Sequence, residues 1–181
     1  MSAKDDLLAA AMVYVTEHGV SDLSLRTLAT AIGTSHRMLI YHFGSREGLL
    51  VEIVKAVEQQ QRDRLAALLA EPGRSPREQA ERFWEQLVDP AMWPQERLFF
   101  ELYGQALQGR PHAVPLLDGV VTDWLEPLTE LTVRSGVPRE QARAHARLRL
   151  AVARGLLLDL LATGDVEGVR AAGEAHLAAY E

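Results

Sequence analysis

Between Ser24 and Ser45 the chain is punctuated in a way that leaves few folds open to it. Ser24 stands before Leu25, Leu28, Ala29 and Ile32, an apolar set at helical spacing, and Gly33 ends that run. Ser35 opens a second helix two residues later, through Leu39 and Phe43, and Ser45 opens another through Leu49, Leu50, Ile53, Val54 and Val57 to about Ala70. A serine before a helix accepts an N–H of the first turn, and a glycine after one takes the left-handed cap conformation. Helices this short cannot hide an apolar face alone, so they pack on each other and on the preceding stripe Leu7, Leu8, Ala11, Met12 and Val15, closed by His18 and Gly19.

The same signals recur to the end of the chain. Pro72, Gly73 and Arg74 form a break, and Ser75-Pro76-Arg77-Glu78 is a complete start signal: capping serine, proline at the first helical position, and glutamate closing a capping box. A sixth helix is expected from about Pro94 to Gly109, and a seventh over 116–134 with a kink at Pro127. An eighth runs from Pro138 to about Ala162, and Gly164-Asp165 start a ninth. No stretch alternates like a strand. The expected fold is all-α with about nine helices: an N-terminal three-helix unit over 1–45 and a larger helical domain over 46–181, joined by the helix over about 45–70.

Composition narrows the function. The 181 residues carry no cysteine, which excludes disulfides, thiolate zinc, iron–sulfur clusters and a cysteine nucleophile. No apolar window is long enough to span a membrane, and Asp5 and Asp6 stand where a signal peptide would be basic, so a cytoplasmic protein without a membrane partner is expected. The net charge of −6 opposes nucleic-acid binding overall. Locally the sign reverses: from Gly33 to Arg46 there is no acid, while His36, Arg37, His42 and Arg46 are present. The histidines never fall at i, i+3 or i, i+4, and no glycine-rich phosphate loop occurs, so neither a metal site, a cofactor nor an enzyme is indicated.

Two short helices joined by a glycine turn, the second basic and aromatic, form a helix-turn-helix pattern. With Leu28, Ala29, Ile32, Leu39 and Phe43 in the core, Thr34, Ser35, His36, Arg37, Met38, Tyr41 and His42 are left facing outward. Over residues 5–55 the chain resembles the TetR family of bacterial transcriptional regulators. The likeness rests on Ser24-Leu25-Arg26, Gly33-Thr34-Ser35, Leu39-Ile40-Tyr41-His42-Phe43 and Ser45-Arg46-Glu47. It departs at Ile40, commonly tyrosine in that family, and at His36-Arg37, often lysine and glycine. The resemblance implies a homodimer that binds palindromic double-stranded operator DNA and releases it when a small-molecule effector enters the C-terminal domain. It places DNA contacts on Ser24, Arg26, Thr34, Ser35, His36, Arg37, Met38, Tyr41, His42 and Arg46. Arg26 can instead pair with Asp22, and Arg37 with Asp22 or Glu47.

In the C-terminal domain, Met92, Trp93, Phe99, Phe100, Tyr103, Leu107, Trp124 and Leu128 concentrate aromatic and flexible apolar surface, either as plain core or as the lining of an effector pocket. Asp159, set in Leu156-Leu157-Leu158-Asp159-Leu160-Leu161, reads as a buried carboxylate that needs a partner or contacts the effector. Arg139, Arg143, Arg147 and Arg154 read as a solvated stripe. Gly168, Ala172, Ala175 and Ala179 share one face of the last helix and suit close packing across a two-fold axis. The competing reading is a helical small-molecule-binding or interaction protein that no longer binds DNA.

Overall fold

The computed structural model describes residues 2–19 and 23–178. Among them the long elements are all helical: α1 Ala3–His18, α2 Leu25–Ala31, α3 His36–Phe43, α4 Arg46–Ala70, α5 Pro76–Leu87, α6 Trp93–Leu107, α7 Thr122–Arg134, α8 Arg139–Thr163 and α9 Val166–Ala178. Ser24, Ser35 and Ser75 cap α2, α3 and α5 as their positions predict. A second capping box, Ser2 with Asp5, starts α1 and is not betrayed by the apolar periodicity. Helix α7 starts later than expected. Residues Val114–Leu117 take a 3-10 turn, and Gly119, at φ 77, interrupts the backbone before Thr122.

The chain divides into two compact units, Met1–Glu58 with Arg97–Asp118, and Gln59–Glu96 with Gly119–Glu181. Helices α4 and α6 each begin in one unit and end in the other. In the first unit, Ala11, Val15, Leu25, Leu28, Leu39, Leu49 and Ile53 are buried, as are Leu98, Phe99, Leu102 and Ala106. In the second, α8 packs on α7 and α9, and α5 touches α7 and α9. Val88, Leu160 and Val169 form a cluster there, covered by Trp84, Trp93, Leu156 and Val166. A Cβ on Gly173 would lie 2.7 Å from the Trp84 Nε1, so only glycine lets α9 come this close to α5. Two buried glutamines of this unit are bonded through their amide nitrogens: Gln61 Nε2 donates to Glu96 Oε1 at 2.7 Å, and Gln79 Nε2 to the Leu68 carbonyl at 2.8 Å.

Three expectations are corrected. Asp159 is exposed, because α8 is one-sided: its buried residues include Leu157 and Leu160, and at ~100° per residue Asp159 lies about 160° and 100° from them. Leu107 is 67% exposed at the end of α6 and lines no interior. Arg154 is half-buried and donates from Nη2 to the Val120 carbonyl at 2.6 Å, leaving Arg139, Arg143 and Arg147 as the exposed stripe.

Candidate nucleic-acid interface

The first unit holds α3 by three local devices. Ser35 Oγ accepts the Met38 N–H at 3.2 Å, and the Thr34 N–H reaches back to the Ala29 carbonyl at 2.9 Å across Gly33, at φ 71. At the other end Gly44, at φ 74, donates to the Ile40 carbonyl at 2.8 Å. The third device is Gly48, in the first turn of α4, where any Cβ would collide with the Phe43 carbonyl. Together they set the start, the end and the neighbour of an eight-residue helix.

That helix has two sides. Leu39 and Phe43 are buried, as are Leu28 and Ala29 of the neighbouring α2, whereas Ser35, His36, Arg37, Met38, Ile40 and Tyr41 are exposed. Tyr41 is 78% exposed and Ile40 39%, a large apolar surface for so short a helix. Thr34 is half-buried. So is His42, which meets the ring of Tyr41 edge-on, their centroids 4.9 Å apart. No carboxylate among the described residues forms an ion pair with Arg37, and Asp22, its suggested partner and that of Arg26, lies outside them. Glu47 faces Arg46 instead, at 3.9 Å. The exposed side of α3 therefore carries one guanidinium, an imidazole, a phenol and apolar surface. That set can read base edges and the thymine methyl in a major groove.

Ser24 and Arg26 are exposed at the start of α2, Ser24 Oγ accepting the Thr27 N–H at 3.1 Å. Arg46 differs from the expectation of a phosphate contact alone. Its Nε donates to the Leu23 carbonyl at 2.6 Å, tying α4 to the segment that enters α2. Lys4 adds a second tie, its Nζ 2.5 Å from Glu52 Oε2 and 5.8 Å from the Phe43 ring centroid. Sequence reasoning missed Gly48, Lys4 and Glu52. Gly48 was visible as a glycine inside an otherwise helical pattern, but the Lys4–Glu52 pair spans too much sequence to leave a local signal.

The residues suggested for an effector fall in both units. In the first, Phe99 is buried and stacks on Tyr103 at 5.3 Å between centroids, with Phe100 edge-on at 5.1 Å. In the second, Trp124 is buried against Phe83 and under the Arg62 guanidinium at 5.8 Å, and Leu128 is buried one turn on. Trp93 Nε1 donates to the Val88 carbonyl at 3.3 Å. Met92 borders an open depression with Arg64, Gln86, Asp89 and Ala91. On α9, Gly168, Ala172 and Ala175 are exposed, while Ala179 lies outside the described residues. Gly168 also has a local role: its N–H donates to Asp165 Oδ1 at 2.9 Å, and a Cβ there would strike that carboxylate. On α8, Leu148 and Leu158 are 51% and 53% exposed, on the face that also carries Gly155.

No helix among the described residues is long and apolar enough to cross a membrane. Comparison with known proteins bears on the same segment. Residues 7–53 match the model of a family described as bacterial regulatory proteins, tetR family. A search of curated protein sequences returned no match. Many solved structures share the fold. A transcriptional regulator from Rhodococcus sp. Rha1 superposes with a TM-score of 0.74 at 20% identity, covering 99% of this chain and 96% of its own. A regulator from Saccharomonospora viridis, solved in complex with choline, gives 0.69 at 22% identity, covering 98% and 94%. The Thermus thermophilus repressor FadR, solved with lauroyl-CoA, gives 0.66 at 18% identity, covering 98% and 92%.

Proposed function

We propose, from the match of residues 7–53 to the tetR family of bacterial regulatory proteins, that this chain is a transcriptional repressor that binds palindromic operator DNA as a homodimer and is released by a small apolar or aromatic effector. The observation that carries the DNA reading is the outer side of α3, where Arg37, Met38, Ile40 and Tyr41 are all exposed while Leu39 and Phe43 fill the core. Arg37 is the base reader, since a guanidinium in the first turn of such a helix can take guanine O6 and N7 together. Ser24, Arg26, Thr34, Ser35, His36, Met38, Tyr41, His42 and Arg46 supply the remaining base and phosphate contacts.

The exposed apolar faces of α8 and α9 support a two-fold interface built from Leu148, Leu158, Ala172 and Ala175. Binding to a palindromic site requires the two recognition helices to lie one duplex turn apart, roughly 34–36 Å. The aromatic groups around Phe99 and Trp124 support effector binding, and two relatives of this fold were solved with choline and with lauroyl-CoA. An effector that prefers a state with another helix spacing lowers operator affinity by that preference. No catalysis is part of this reading.

Selection of binding duplexes from a random pool, followed by titration of the enriched sequence at several salt concentrations, tests it. The expected outcome is a two-fold symmetric sequence bound with a steep salt dependence. Failure to enrich any duplex, with the protein folded, would leave the helical interaction module as the correct reading.

A further inference from the structure

Three of the nine large apolar or aromatic side chains exposed among the described residues, Met38, Ile40 and Tyr41, fall within four positions of α3. An exposed apolar residue standing alone calls for no explanation, but three on one eight-residue helix form a patch. At ~100° per residue, the order around the outer side of the helix is Ile40, Arg37, Tyr41, Met38. Ile40 and Arg37, three positions apart, are therefore neighbours on the helix surface. The setting is basic. From Gly33 to Arg46 there is no acid, while His36, Arg37, His42 and Arg46 are present. A surface of this kind complements a polyanion that carries apolar groups between its charges.

The side chain of Ile40 can neither donate nor accept a hydrogen bond. Pressed on a phosphate, or on a nitrogen or oxygen of a base edge, it would strip water from a polar group and return no bond, which costs free energy. The major groove offers one apolar feature, the methyl group on C5 of thymine. A cytosine methylated at C5 presents the same group at the same place. Ile40 suits it, because its β-branch keeps χ1 stiff and a fixed apolar surface is presented at small cost in side-chain entropy. Met38, at the other edge of the patch, is unbranched and adapts to whatever lies against it.

We propose that Ile40 is a specificity-determining residue that reads the 5-methyl group of a pyrimidine in the major groove, next to the base pair taken by Arg37. This inference rests on the DNA-binding reading of α3. It adds the chemistry of a second position in each half-site, where the protein selects a methyl group rather than a pattern of donors and acceptors. Thymine and 5-methylcytosine both supply that group.

The duplex enriched from the random pool, titrated with the full-length protein at constant ionic strength, tests this. Uracil in place of each thymine in turn removes only the methyl and keeps the base pair; 5-methylcytosine in place of each cytosine in turn adds one. At one position per half-site the methyl should change affinity about fourfold, and about fifteenfold when both half-sites are altered together, the size expected for one buried carbon in each. An effect of uracil alone assigns thymine, of 5-methylcytosine alone the methylated cytosine, and of both the methyl group itself. Ile40→Ala and Ile40→Gln should each abolish this preference and leave the preference at the base pair read by Arg37. The second variant keeps the test valid if the first fails to fold. A duplex bound equally well with and without its methyl groups overturns the inference while leaving the DNA reading intact. A methyl preference unchanged in both variants, or lost only in Met38→Ala, removes Ile40 as the reader. If no duplex is enriched, the DNA reading and this inference fall together.

Discussion

The carbonyl oxygen of Phe43, at the end of α3, occupies the space where any side chain on Gly48 would begin. Ser45 straddles the same junction: its N–H donates to the Phe43 carbonyl at 2.9 Å, and its Oγ accepts the Gly48 N–H at 3.0 Å. The last turn of α3 and the first turn of α4 are therefore locked by backbone contact rather than by side-chain packing. The direction in which α3 presents Arg37 and Tyr41 follows from that lock.

Gly48→Ala should therefore destabilise the protein. Helix propensity alone predicts a gain of about 1 kcal/mol for alanine over glycine. The collision with the Phe43 backbone opposes it with an overpacking cost of about 1–3 kcal/mol, and the collision wins because neither backbone can yield cheaply. Thermal denaturation should show a lower Tm, with weaker duplex binding below it. A variant at least as stable as wild type would show that the two helices have room to part.

Arg37 and Arg46 should separate by stability as well as by DNA binding. Arg37→Ala, on the exposed side of α3, should leave Tm unchanged, cost ~1–3 kcal/mol on the selected duplex and relax preference at one base pair per half-site. Arg46→Ala loses the bond from Nε to the Leu23 carbonyl and should lower stability by about 1.5–3 kcal/mol, the range for a bond from a charged donor. It should weaken all sequences alike. Equal loss on selected and scrambled duplexes for Arg37→Ala would remove it as a base reader.

Leu158→Arg and Ala175→Arg each put a charge on an exposed position of the proposed two-fold interface. Sedimentation should show monomers at concentrations where wild type is dimeric, with helix content and monomer fold intact because neither site is buried within the chain. Dimers in both variants would place the interface elsewhere.

His176 makes stability depend on pH in a defined direction. Its folded pKa lies below the ordinary value of 6.5, so below that pH the unfolded chain binds the proton more readily than the folded one. Stability should fall as pH drops from about 7 through the folded pKa, and the slope of Tm against pH in that window should flatten in His176→Gln. The carboxyl of Glu78 is also lowered, by the backbone N–H of Ser75 and then its hydroxyl, and acts at lower pH: the stability it adds is present above its ordinary 4.5 and is lost on further acidification. A slope unchanged by His176→Gln between pH 7 and 5 would assign the pH response to other groups.

What the sequence determined by itself is local. Capping serines at 24, 35 and 75, the closing glycines at 19 and 33, and apolar residues at helical spacing set the helices, except for the start of α7, because those signals act within one or two turns. The exposure of His36, Arg37, Met38 and Tyr41 on α3 was legible for the same reason, since an eight-residue helix with Leu39 and Phe43 inside has only one other side, whereas His42, expected to face outward, is half-buried. Tertiary structure decided the rest. Asp159 looked buried among leucines, but burial depends on which face meets α7 and α9, and no periodicity within a nearly continuous apolar run selects that face. The sequence marks Arg46 only as a candidate phosphate contact, and the fold alone brings the Leu23 carbonyl, distant in sequence, to its Nε. The Lys4–Glu52 pair joins residues from separate helices. Each charge taken alone reads as a solvated surface group, and only the packing of the backbone, which decides how far each is withdrawn from water, gives them a common place.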